Sequence, residues 1–176
     1  MTVEREIKVK LDQLDLAKLR EWLNDRCVPL GEEVQVDTYF RHPCRDFEVT
    51  DEALRLRKRG GADQAELCYK GPRSVGGELV KAREEIEVSV KSASELSRIL
   101  VRLGFEPVAE VVKEREIFDC GNFITYLDHI EELGDFAEFE ARGVEQAELV
   151  KLLKNFGLLE KAESRTYLEL LLEKRR

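Results

Sequence analysis

In one short segment after another of this 176-residue chain, charged residues recur at every second position with apolar residues between them. Residues two apart in a strand point the same way, so each such segment has one charged face and one apolar face. Glu4, Glu6 and Lys8 share a face opposite Val3, Ile7 and Val9. Arg55 and Arg57 lie opposite Leu54 and Leu56, and Glu66, Cys68 and Lys70 lie opposite Leu67 and Tyr69. Arg83, Glu85 and Glu87 oppose Ile86, Val88 and Val90, while Glu138 and Glu140 oppose Ala137 and Phe139. Lys113 pairs with Arg115 on one face, and Asp128 shares a face with Tyr126 and Ile124. Strands are predicted near 3–9, 34–41, 53–59, 65–71, 82–90, 109–118, 122–130 and 135–141. All but the second put a charge on the same face.

Helical spacing falls between and after these strands. Leu16, Leu19 and Leu23 form a stripe near 15–26 with Asp15 as its cap, and further helices are predicted near 93–103, 144–156 and 163–175. Gly60-Gly61, Gly71-Pro72, Gly76-Gly77, Gly121-Asn122 and Gly134 mark turns. No linker or composition break divides the chain, so one domain over 1–176 is expected. The expected class is α+β, an eight-stranded antiparallel barrel with helices packed outside.

Any single charged face has an ordinary explanation, since antiparallel sheets often turn one side to water. The joint pattern argues for closure. If the apolar faces meet helices outside, the charged faces line the interior. That interior holds seven cations, Lys8, Arg55, Arg57, Lys70, Arg83, Lys113 and Arg115. It also holds seven anions, Glu4, Glu6, Glu85, Glu87, Asp128, Glu138 and Glu140. Buried charges are costly unless paired. Divalent metals neutralise carboxylate clusters, and phosphates neutralise Lys and Arg clusters. The mixture points to a triphosphate handled with one or two hard cations, Mg²⁺ or Mn²⁺. A slip of one residue in the sixth strand would turn Glu114 and Glu116 inward and Lys113 and Arg115 outward. The basic register is preferred, because carboxylate pairs elsewhere already supply a metal site.

The ordered set Glu4-x-Glu6-x-Lys8, Arg55-x-Arg57, Lys70, Arg83-x-Glu85-x-Glu87, Lys113-x-Arg115, Asp128 and Glu138-x-Glu140 resembles the CYTH family, the triphosphate tunnel metalloenzymes. With Asp37-Thr38-Tyr39-Phe40 and Leu67-Cys68-Tyr69-Lys70-Gly71-Pro72, the chain looks most like the CyaB-type class IV adenylyl cyclases and their archaeal relatives. Thiamine triphosphatases form a sister branch. The resemblance implies Glu4, Glu6 and Glu140 as metal ligands with Glu138 assisting. Asp128 would ligate a second metal or hold a neighbouring base. The seven cations would grip the triphosphate, and Glu85 and Glu87 would orient them or serve a second metal. Two reactions share these residues: attack of the ATP ribose hydroxyl on the α-phosphorus with loss of pyrophosphate, and hydrolysis of the terminal phosphate. A binding module without turnover is a further alternative. ATP, thiamine triphosphate and inorganic triphosphate are the expected ligands, to a monomer or homodimer.

A net charge of −8 argues against a duplex nucleic-acid partner, and no apolar run suits a membrane span, so a cytoplasmic protein is expected. Cys27, Cys44, Cys68 and Cys120 include no C-x-x-C pair and only His42 and His129 accompany them, which disfavours zinc. Four reduced thiols are expected. A single Met beside 38% charged residues matches thermophile composition. His129 alternates outward from Asp128, and His42 reads as structural. Lys161 and Arg165 are C-terminal bases that the resemblance leaves unmatched. Arg73, in the Gly-rich connection 71–77, is expected to be available to substrate. No catalytic base is assigned.

Overall fold

Alternating burial along the strands closes the sheet on itself. The structure, a computed structural model, describes residues 2–73, 81–142 and 146–176, with side chains outside the description at 2–5, 81, 82 and 146. The strands are β1 (Thr2–Leu11), β2 (Val28–Arg41), β3 (Ala53–Arg59), β4 (Ala65–Lys70), β5 (Lys81–Val90), β6 (Glu106–Asp119), β7 (Phe123–Ile130) and β8 (Gly134–Ala141). They form a closed barrel in the order β1-β5-β4-β3-β2-β6-β7-β8, antiparallel at every pairing. Closure through β1–β5 and β1–β8 leaves no free sheet edge.

The helices are α1 (Gln13–Arg26), α2 (Ala93–Arg102), α3 (Gln146–Phe156) and α4 (Tyr167–Arg175), with a 3₁₀ turn at Leu159–Lys161. Asp15 is not the cap of α1. Asp12 is, accepting from the Leu14 and Asp15 amides, while the Asp15 carboxylate reaches back to the Asp12 amide in a capping box. Outward-facing Ile7, Val9, Phe118, Leu127, Ala137 and Phe139 pack under Leu19, Leu23, Leu149 and Leu153 of α1 and α3. Phe40 and Leu56 pack under Ala93 and Leu100 of α2. The expectation that every apolar strand face meets a helix fails on β5, where Ile86 and Val88 are each 56% exposed. The helices cover only part of the barrel's circumference.

α4 departs from the expected outer position. Its Tyr167 and Leu171 cluster with Tyr39, Val111, Ile130 and Phe136, which share the inward alternation of Asp37, Lys113, Asp128 and Glu138. The helix therefore plugs one end of the barrel.

Cys27 and Cys120 form a disulfide, which corrects the expectation of four reduced thiols. The two cysteines are 93 positions apart, but the β2–β6 register sets Val28 opposite Asp119 and so brings their neighbours together. Of the other two, Cys44 is exposed and Cys68 is buried, its thiol pushed up to about 12 by desolvation. Iodoacetamide should label Cys44 in the native protein and Cys68 only after unfolding. Mass spectrometry without reductant should find the Cys27 and Cys120 peptides joined.

Candidate active site

The inward faces bring the charged residues around one cavity of ≈ 800 Å³. Among the described residues, the buried charged side chains comprise six cations and four anions. Lys8, Arg55, Arg57, Arg83, Lys113 and Arg115 are the cations, and Asp37, Glu85, Asp128 and Glu138 are the anions. Glu114, by contrast, is exposed and Glu116 pairs outside with Arg20 at 2.6 Å, so β6 keeps the basic register.

Much of the belt is held by fixed partners. Arg57 binds both oxygens of Asp37 at 2.6 Å, and Arg115 does the same with Asp128 while also reaching Glu138. Such forks set each guanidinium plane. Arg83 donates to the carbonyls of Gly71 and Asp51. Lys70 pairs with Glu85, and Arg55 lies 3.6 Å from Glu87. Glu85 and Glu87 thus sit against two of the cations. Lys8 donates to the Arg165 carbonyl and lies 4.2 Å over the Tyr167 ring.

Lys113 is the electrostatically frustrated member. Burial, then the neighbouring Arg115 and Arg57, push its ammonium down to about 7. Because the folded protein sheds this proton earlier than the unfolded chain, folding stability contributed here rises with pH from about 7 upward. Ligand-free protein should gain roughly 2 kcal/mol from this group between pH 7 and pH 9, and Lys113→Met should abolish that part of the slope in thermal unfolding.

The carboxylates divide into two kinds. Glu6 and Glu140 are half-buried, face the cavity, and stand opposite each other in the β1–β8 register. Their all-oxygen donor set suits a hard divalent cation. Tyr126 donates to Glu140 at 2.8 Å. Glu4 lies on the same strand face, but its side chain is outside the described residues. Glu138 lines the cavity beside them and already accepts from Arg115. Asp128 is different: both oxygens serve Arg115, one also accepts from the Tyr167 hydroxyl at 2.8 Å, and the side chain is fully buried. Of the two roles left open for it, the geometry shows the holding of a base. Cys68, Glu85 and Glu87 place three ligand atoms within 4.8 Å of one another, but Lys70 and Arg55 already neutralise the two acids.

The second strand corrects the sequence reading most. Glu33, Gln35, Asp37 and Tyr39 all face the cavity, with Gln35 and Asp37 buried. Alternation over Glu33–Tyr39 carried the signal, masked because β2 begins at Val28, earlier than expected. Arg73 is also not available to substrate. It binds Asp51, the Ser164 carbonyl and Glu169, tying the start of the β4–β5 connection to α4. The turn Gly76-Gly77 lies outside the described residues. Arg165 lines the cavity and pairs with Glu163 and Glu173, whereas Lys161 lies outside against Asp12 and Asp15. His129 is exposed against Asp135, and His42 packs between Phe47 and Phe105.

A closed eight-stranded tunnel with this belt is matched by a family model, the CYTH domain, over residues 2–167. The chain belongs to the CYTH family. It is 38% identical over 139 residues to "Putative adenylate cyclase MJ0240" of Methanocaldococcus jannaschii, covering 78% of this chain and 76% of that protein. It is 27% identical to "Adenylate cyclase CyaB" of Aeromonas hydrophila, covering 77% and 66% of the two chains. The solved structure of the PH1819 protein of Pyrococcus horikoshii superposes with a TM-score of 0.84 at 38% identity, over 97% of this chain and 99% of that one. CYTH proteins are metalloenzymes that bind triphosphate substrates such as ATP. Among the described residues of this CYTH chain, no helix is long and apolar enough to cross a membrane.

Proposed function

We propose that this CYTH protein converts ATP to cyclic AMP and pyrophosphate with Mg²⁺ or Mn²⁺, like the class IV cyclases it is similar to. The observation that carries the reading is the excess, among the described residues, of buried cations over buried anions around one tunnel, facing a carboxylate pair. Such a belt is incomplete without a polyanion. Lys8, Arg55, Arg57, Lys70, Arg83, Lys113 and Arg115 would hold the triphosphate oxygens, with Asp37, Asp128, Glu85 and Glu87 fixing their directions. Glu6 and Glu140, with Glu4 and Glu138, would hold one or two divalent ions. The bound ion supplies neutralisation of charge on the phosphate oxygens. The tunnel walls limit access of water, and the belt is aligned before charge develops. The names of the relatives support the cyclase over the triphosphatase. The proposed compartment is the cytoplasm, where ATP and Mg²⁺ are supplied.

The test is product analysis with ATP, thiamine triphosphate and inorganic triphosphate, each with Mg²⁺ and with Mn²⁺. Cyclic AMP with pyrophosphate is the expected outcome. Orthophosphate and a diphosphate product would make the protein a triphosphatase. Tight binding without product would make it a binding module.

A further inference from the structure

Two buried polar atoms have no hydrogen-bond partner among the described residues, and they are of opposite kind. Arg55 Nε is a donor and Gln35 Oε1 is an acceptor. Both side chains line the tunnel. The phosphate oxygens of a triphosphate are acceptors, so they satisfy Arg55 and leave Gln35 in need of a donor. Buried acceptors left unmet are costly, and each calls for an explanation. The Gln35 amide cannot simply turn over: its Nε2 donates to Glu33 Oε1, and the reverse setting would place its oxygen against that carboxylate.

The position of Gln35 says which part of a ligand it meets. At 2% exposure, it stands opposite Lys113 on β6 and Arg59 on β3. On the α4 side of it, β2 continues with Asp37, the partner of Arg57. On the other side the cavity wall mixes Leu30, Ile117, Ile124 and Tyr126 with Glu33, Arg115 and the Glu6–Glu140 pair. Gln35 therefore sits within the charged belt, next to the level where Leu30, Ile117 and Ile124 add apolar surface to the wall. A ligand group reaching it meets a hydrogen-bond acceptor with apolar surface beside it.

We infer that Gln35 is a specificity-determining residue that accepts a hydrogen bond from an N–H or O–H on the organic part of an organic triphosphate, whose apolar surface packs against Leu30, Ile117 and Ile124. The site then selects organic triphosphates over inorganic triphosphate. This rests on the triphosphate reading above and goes beyond it, because the phosphate-gripping residues cannot make that distinction.

The experiment is titration calorimetry of ATP and inorganic triphosphate against the wild-type chain and Gln35→Met, in EDTA to arrest turnover and again with Mg²⁺. The ratio of affinity for ATP to affinity for inorganic triphosphate should fall at least tenfold in Q35M. A ratio within twofold of wild type overturns the inference. If both affinities drop together, Gln35 faces phosphate or a metal-bound water. If neither drops, Gln35 does not touch the ligand. If Q35M does not fold, methyl triphosphate, which lacks a donor on its organic part, decides on the wild type. Affinity at least tenfold below that of ATP supports the inference, and anything closer overturns it. Wild-type protein that binds no triphosphate under either condition fails the reading above, and the inference with it.

Discussion

Glu6→Gln is expected to lower metal-dependent turnover of ATP by about 10³-fold with little change in thermal stability. The substitution keeps the shape of a half-buried side chain that faces Glu140 across β1–β8 and removes one charge from the pair. A bound divalent ion contributes several kcal/mol to transition-state charge stabilisation, and each 1.36 kcal/mol is a factor of ten in rate. Glu140→Gln should act in the same direction, since either change leaves a single carboxylate at that level of the tunnel. The measurement is product formation against Mg²⁺ and Mn²⁺ concentration. Wild-type activity and metal dependence in E6Q would remove Glu6 from the metal site.

Arg115→Met should be the most destabilising change in the tunnel. Arg115 binds both oxygens of Asp128 and reaches Glu138, all three buried. Without it, two acids face each other in the interior with Lys113 as the nearest compensation. Breaking a buried ion pair by removing one partner costs about 3–5 kcal/mol, which for a chain of this size lowers Tm by on the order of 10 °C. The pH dependence follows from the same contact. Arg115, with Lys113 and Lys8, holds Glu138 well below the usual carboxylate range in the native protein. In R115M the buried acids should protonate more readily in the folded state than in the unfolded chain. Their ionisation then destabilises the fold as pH rises, so the deficit should be small near pH 4 and full at pH 7. Thermal scans at both pH values check this, and the triple variant R115M/D128N/E138Q should recover part of the loss at pH 7. An equal deficit at pH 4 and pH 7 would mean that lost packing, not charge, is responsible.

The barrel and most of the tunnel lining were legible in the sequence because a strand's period of two is local. Glu4-x-Glu6-x-Lys8 or Arg55-x-Arg57 declares its shared face without knowledge of any neighbour. The direction of β6 could not be settled in the same way, since Lys113 and Arg115 alternate with Glu114 and Glu116 and both faces are charged. The preference for the bases comes from carboxylate pairs on other strands, and the Glu116 contact to Arg20 outside the barrel decides it. Gln35 escaped notice for a related reason: a search for charge passes over a neutral amide, and its meaning lies in a missing partner that only the surrounding atoms reveal.

By itself, then, the sequence determined the strands, the two faces of each, and the charged belt, all of which follow from residue spacing along short stretches. Tertiary structure alone decided the features that depend on which strands become neighbours. The β2–β6 pairing joined Cys27 to Cys120, and closure of the ring set Glu6 against Glu140. The seating of α4 in one end of the barrel put Tyr167 on Asp128 and drew Arg73 away from the cavity to Glu169. These contacts join residues 39 to 134 positions apart, where no local periodicity carries information and only the summed packing of the closed barrel selects the partner.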